Sequence, residues 1–300
     1  MLSDHRDTSI DHPHRHNETR LLLALGLTGG YMLAEVVGGL VSGSLALLAD
    51  AGHMLTDTAA LWFAWMAARV VRRPPDERRT YGYHRFQIIA ALINAVALLF
   101  LVGWIAYEAA ERIYAPVQVL GGLMLVIAAL GLGVNLLVFW ILHGGDHGNL
   151  NLRAALLHVL GDLLGSAAAI VAAVVILATG WMPIDPILSL FVSVLILISA
   201  WRIIKEAVHI LMEGTPPQID LPALRTALAH GVPGVRDVHH IHVWSLSPDR
   251  PLLTLHLRID ESADPTQVLR AAKQLLRERF GIDHSTIQIE TEPCDERHPD

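Results

Sequence analysis

Two short stretches carry the residues best suited to chemistry: Gly52-His53-Met54-Leu55-Thr56-Asp57 and Leu157-His158-Val159-Leu160-Gly161-Asp162. Each sets a histidine four residues before an aspartate, inside a long apolar run. On an α-helix, residues i and i+4 share a face one turn apart. Each stretch can therefore offer an imidazole nitrogen and a carboxylate oxygen to one point. Two such helices side by side supply two nitrogens and two oxygens, a donor set suited to a tetrahedral divalent cation and to zinc above all. One copy alone would read as a pair of buried polar groups bonded to each other. Two copies on separate apolar segments favour metal, because ionisable groups within a bilayer are expensive and mark function.

The elements that must position these residues are read from the apolar runs. They span 21–41, 45–71, 86–110, 117–142, 152–178 and 184–209, each about the 20 residues a bilayer crossing needs. The 300-residue chain is 53% hydrophobic and 17% charged, with a mean hydropathy of +0.44, well outside the range of ordinary soluble domains. Its net charge of -7 argues against a nucleic-acid partner. A single cysteine, Cys294, excludes an internal disulfide framework and a cysteine-rich zinc finger. The first apolar run begins at Leu21 behind polar residues, so no cleavable signal peptide is expected.

Orientation follows from arginine. Arg72, Arg73, Arg78, Arg79 and Arg85 crowd the break between the second and third runs, whereas Ser42-Gly43-Ser44 carries no charge and the break before the sixth run carries only Asp185. Arginine-rich loops stay in the cytoplasm, and six spans then put both termini there. Residues 1–19, with His5, His12, His14 and His16, read as a disordered cytoplasmic tail. Glu35, Asn94 and Asn135 are expected to hydrogen-bond between helices. Asp50, one turn before His53, belongs either to the ion path or to the cap of the second helix.

After Glu213-Gly214-Thr215-Pro216-Pro217 the composition changes abruptly, marking a domain boundary. Helices are expected over 220–230 and 264–280, and strands over 237–245, 251–259 and 285–291. The order αββαβ implies a small α+β domain over 214–300 with its helices on one face of the sheet. His239, His240, His242, His256, His284, Glu290 and Glu292 lie on or beside its strands and form a second candidate metal set. Cys294, near the tail, is expected to be inert.

With those residues placed, the chain resembles the cation diffusion facilitator family. The resemblance runs from about residue 20 to the end. It rests on Ser42-Gly43-Ser44-Leu45-Ala46-Leu47-Leu48-Ala49-Asp50-Ala51 leading into the first His/Asp stretch, on Tyr81-Gly82-Tyr83-His84-Arg85, on Asn149-Leu150-Asn151-Leu152-Arg153-Ala154-Ala155 leading into the second, and on Val238-His239-His240-Ile241-His242-Val243-Trp244. It implies an all-α six-helix transmembrane domain over 20–213, a metallochaperone-like α+β cytoplasmic domain over 214–300 that binds metal and dimerises, and a homodimer. It also implies a secondary transporter, not an enzyme, that exports zinc, cadmium or cobalt in exchange for protons, here expected in a bacterial inner membrane. The transport site matches His53, Asp57, His158 and Asp162. The cytoplasmic sites match His239, His256, His284 and Glu290, and Glu292 aligns with a ligand in some members only. Arg85 and Glu213 match a charge interlock at the membrane–cytoplasm junction. The loop Asp76-Glu77-Arg78-Arg79-Thr80-Tyr81-Gly82-Tyr83-His84 departs from the family: arginine and tyrosine take the ligand positions of an additional site, which is not expected here.

The donor set itself supports exchange. A ligating histidine must be neutral, so metal binding releases protons, and histidine titrates nearest neutrality. A membrane-embedded zinc hydrolase would want three ligands, an open position and a general base. A metal sensor would leave the paired intramembrane stretches without a purpose.

Overall fold

The computed structural model describes residues 12–71, 74–143 and 150–292. Contacts divide the chain into two compact units, Met1–Trp62 with Asn94–Trp201 and Phe63–Ile93 with Arg202–Asp300. Six long helices come first: α1 His12–Ser42, α2 Leu45–Val71, α3 Phe86–Tyr114, α4 Gly121–His143, α5 Leu150–Thr179 and α6 Ile184–Leu211. The smaller elements follow: α7 Leu221–Gly231, β1 Val235–Ser245, β2 Pro251–Ile259, α8 Pro265–Phe280 and β3 His284–Glu290.

Among the described residues, four helices are long and apolar enough to cross a membrane: Phe86–Tyr114, Gly121–His143, Val159–Thr179 and Ile184–Leu211. A helix satisfies its own backbone hydrogen bonds, which is why it can sit in hydrocarbon. The outward side chains of these helices include Phe100 and Trp140, each 76% exposed, an apolar surface that suits lipid rather than water. Their inward faces are small. Met124 and Ala128 of α4 interlock with Ala169, Ala172, Ala173 and Ile176 of α5, the close approach that small residues permit between membrane helices. Helix α4 packs on α1 as well as on α5.

Two sequence expectations change here. Helix α1 begins at His12, inside the stretch expected to be a disordered tail: His12, His14 and His16 extend the helix, because a polar sequence can continue a helix that an apolar run has nucleated. His5 lies outside the described residues. Asp50 does not cap α2. The cap is Ser44, whose Oγ accepts from Leu47 N at 3.2 Å, while Asp50 is buried five residues into the helix.

In the second unit, β1 pairs antiparallel with β2 and β2 parallel with β3, in the sheet order β1-β2-β3. Alternation sorts the faces. Leu253, Leu255, Leu257 and Ile259 of β2 join Leu224, Leu228, Val268, Ala272 and Leu276 of the helices in one core. Thr254, His256 and Arg258 therefore point to the other face. Helix starts follow the sequence: Asp220 caps α7 and Asp264 caps α8, each through its side chain. Gly281, at φ 66, ends α8 in the left-handed conformation that glycine adopts without penalty.

Candidate metal sites

The His/Asp stretches lie mid-helix, the first on α2 and the second on α5. His53 is half-buried and Asp162 is 1% exposed. The side chains of Asp57 and His158 lie outside the described residues, although the helical backbone at both positions is described. The two helices approach each other one turn away. A Cβ built on Gly165 of α5 would lie 2.7 Å from Asp50 Oδ1 of α2. Asp50 is three residues before His53 and Gly165 three after Asp162, so the contact lies within one turn of both stretches.

The cytoplasmic set is built from the sheet. His239 of β1 stands opposite His256 of β2. Glu290 of β3 lies opposite Arg258, two residues along from the partner of His256, so it is the diagonal neighbour on the same face. His239 Nε2 lies 3.2 Å from Glu290 Oε2, and His256 Nδ1 lies 2.7 Å from Glu290 Oε1. One ligand atom from each of the three falls within 4.8 Å of the others. Tetrahedral zinc with bonds of about 2.0–2.2 Å sets its ligands about 3.3–3.6 Å apart, a difference that small side-chain rotations close. His239 Nε2 and Glu290 Oε2 are buried without a well-aligned hydrogen bond, as fits a donor set made for a cation. Burial works against the Glu290 carboxylate. The hydrogen bond from Gln288 and the His256 and His239 rings outweigh it and hold the carboxyl below its usual pKa.

Two features of this site were not visible in the sequence. Asp237 Oδ2 lies 3.1 Å from His239 Nδ1 but out of line for a hydrogen bond; a carboxylate beside the second ring nitrogen is the kind of outer neighbour a ligating histidine uses. The β1–β2 register also slips by one residue between His239 and His242. His240, at φ 48, occupies this bulge, and its ring centroid falls 4.9 Å from that of His256. A bulge re-aims side chains.

His284 is not brought to this trio. It begins β3 and Glu290 ends it, about 20 Å away at roughly 3.3 Å per residue. His284 is exposed and stands edge-on to Tyr81, with centroids 5.9 Å apart. The expected four-residue set His239, His256, His284 and Glu290 is thus three in one place and one elsewhere, because parallel pairing carries His284 to the far end of the strand. His242 is exposed opposite Thr254, and Glu292 is exposed beyond the strand; Cys294 lies outside the described residues. In the loop before α3, Asp76 Oδ2 accepts from the Tyr83 hydroxyl at 2.8 Å and its Oδ1 from the backbone N–H groups of Arg78 and Arg79. Those bonds occupy the Asp76 carboxylate within the loop itself.

Two family descriptions match the chain. Residues 21–212 match the cation efflux transmembrane domain, and residues 216–292 match the cytoplasmic domain of cation efflux proteins. The chain belongs to the cation efflux family. As a member it is a membrane transporter, not an enzyme. It is 50% identical over 295 residues to a protein of Escherichia coli (strain K12) named zinc transporter ZitB, covering 98% of this chain and 94% of that one. It is 42% identical over 288 residues to the cadmium, cobalt and zinc/H(+)-K(+) antiporter of Bacillus subtilis (strain 168), covering 93% and 92%. A solved metal-bound C-terminal domain of the CzcD transporter is 36% identical and covers 24% of this chain and 99% of its own, with a TM-score of 0.23.

Proposed function

We propose that this cation efflux protein exports a divalent metal, zinc above all, in exchange for protons. Alternating access at a tetrahedral site of His53, Asp57, His158 and Asp162 carries the ion. The observation that carries the reading is the packing of Asp50 of α2 against Gly165 of α5. Three connections separate these helices, so in an up-and-down arrangement they run antiparallel. One turn further along α2 and one turn back along α5 then juxtapose His53 with Asp162, and a further turn juxtaposes Asp57 with His158. The relatives named for zinc, cadmium and cobalt support the same substrate class. Cadmium and cobalt(II) accept these ligands as well.

The site can hold either a metal or protons, because its histidines must be neutral to ligate. Facing the cytoplasm, metal displaces protons; facing outward, protons displace metal. The α1–α6 series and the arginine-rich loop support six spans with both termini in the cytoplasm. The chain works as a homodimer in a bacterial inner membrane. Its cytoplasmic trio His239, His256 and Glu290 holds a regulatory zinc that favours one relative position of the two cytoplasmic domains, and His284 serves a different ion position. Metal can shift that equilibrium only by its differential affinity for the two positions.

The test is purified protein in sealed vesicles, assayed with zinc, cadmium, cobalt and manganese under an imposed pH gradient. Zinc entry that follows the gradient supports the reading. Metal flux indifferent to the gradient, or an equal preference for manganese, contradicts it.

A further inference from the structure

Four helices of the first unit bury a second polar group beside the His/Asp stretches. Glu35 of α1 is fully shielded from solvent. Tyr31, one turn earlier on the same helix, donates its hydroxyl proton to Glu35 Oε1 at 2.6 Å. Asp50 of α2, 3% exposed, is a second buried carboxyl, and its charge bears on Glu35. Ser166 of α5 accepts from Asn135 Nδ2 of α4 at 3.3 Å. Two glycines make the room. A Cβ on Gly131 would fall 1.9 Å from the Tyr31 oxygen, and one on Gly165 would fall 2.7 Å from Asp50 Oδ1.

Glu35 Oε2 meets no hydrogen-bond donor among the described residues, although the rest of its carboxyl is held in place. The titratable groups bearing on it are the Tyr31 phenol on its own helix, the Asp50 carboxyl from α2 and, with a weaker effect, Asp162 from α5; α4 contributes the neutral Asn135. Two buried carboxylates that feel each other's charge repel strongly. One proton between them removes a charge and turns two acceptors into a hydrogen bond.

We propose that Glu35 and Asp50 form a proton-binding site of this transporter, distinct from the His53, Asp57, His158 and Asp162 quartet. It takes up one proton when the quartet is empty and releases it when a divalent cation arrives there. The coupling is electrostatic and short-ranged: Asp50 precedes His53 by one turn, and its α5 neighbour Gly165 follows Asp162 by one turn. A dication at that distance favours an ionised pair, so proton and metal exclude each other without sharing a ligand. The inference rests on the metal–proton exchange proposed above.

The experiment records zinc entry and internal pH together in vesicles holding the full-length chain or E35Q. Glutamine keeps the shape of a protonated glutamate but cannot cycle a proton. E35Q is expected to bind zinc as the parent does and to exchange zinc for zinc, while moving about one proton fewer per zinc. It also loses much of its response to an imposed pH gradient. An unchanged proton-to-zinc ratio in E35Q, with a parent that does move protons, overturns this proposal alone. A parent that moves zinc without protons overturns the exchange reading and this proposal with it. D50N carries the same test if E35Q does not assemble. Infrared spectra of the parent provide an independent reading: a protonated-carboxyl band that zinc abolishes is expected, and its absence overturns the proposal.

Discussion

The Ser44 hydroxyl donates to Asp185 Oδ1 at 2.6 Å, and the Leu45 N–H donates to Asp185 Oδ2 at 2.8 Å. A carboxylate at the start of α6 thus satisfies the free amides that begin α2, beside the Ser44 cap. Asp185 is fully buried, so its loss strands donors out of water. Asp185→Ala should cost about 1–3 kcal/mol and lower the thermal unfolding midpoint in detergent. Asp185→Asn, which can still accept, should cost less. Equal midpoints for parent and Asp185→Ala would show that the cap adds nothing.

Asp185 also marks where the sequence stops being informative. In the chain it is a lone charge in a short break, and its partner lies 141 residues away. Local patterns were legible. The Asp264 cap, the alternation of β2 and the i,i+4 His/Asp stretches depend on neighbours in sequence. Asn135 does reach another helix, at Ser166. Glu35 instead accepts from Tyr31 on its own helix. The cytoplasmic trio was half legible: the ligand types were plain, but only strand register sets His239 opposite His256 and separates Glu290 from His284, and only the bulge brings the His240 ring beside them.

His84 Nε2 accepts from Arg250 Nη1 at 2.9 Å. Burial, and then the Arg250 charge, hold the His84 pKa below its ordinary value. A depressed folded-state pKa means that the stability this group contributes is complete above its unfolded value, about 6.5. That contribution is lost as pH falls through the folded value. Acidification should therefore loosen the Arg250 contact. Arg250→Gln should raise the His84 pKa towards the ordinary value, read by NMR titration of the imidazole. A pKa that stays put would remove Arg250 as a cause.

Arg85 Nη2 lies 2.9 Å from Glu213 Oε1, the pairing the resemblance implies. Glu213 holds φ at 60, a left-handed conformation that costs a non-glycine residue of order 1 kcal/mol. Glu213→Gly should relieve the backbone and lose the ion pair, leaving stability within about 1 kcal/mol of the parent while lowering transport. Unaltered transport in Glu213→Gly would mean that the pair has no part in the cycle.

The trio at His239, His256 and Glu290 should bind zinc independently of the membrane site. In an Asp162→Ala background, adding His256→Ala and Glu290→Ala should weaken the remaining zinc binding. The loss should exceed the roughly 10–100-fold that removal of an outer-shell partner costs. In an otherwise native chain the same pair should reduce transport mainly at low zinc. Complete loss of transport in a well-folded His256→Ala, Glu290→Ala variant would make the trio obligatory rather than regulatory.

The central claim is that one cation site on α2 and α5 carries the transported metal. The most direct measurement is zinc flux into vesicles by Asp57→Ala and by Asp162→Ala, each first shown by light scattering to keep the oligomeric state of the parent. Each variant lacks one of the four ligands, and each is expected to transport no zinc above the protein-free background. Full transport by either variant would contradict the claim.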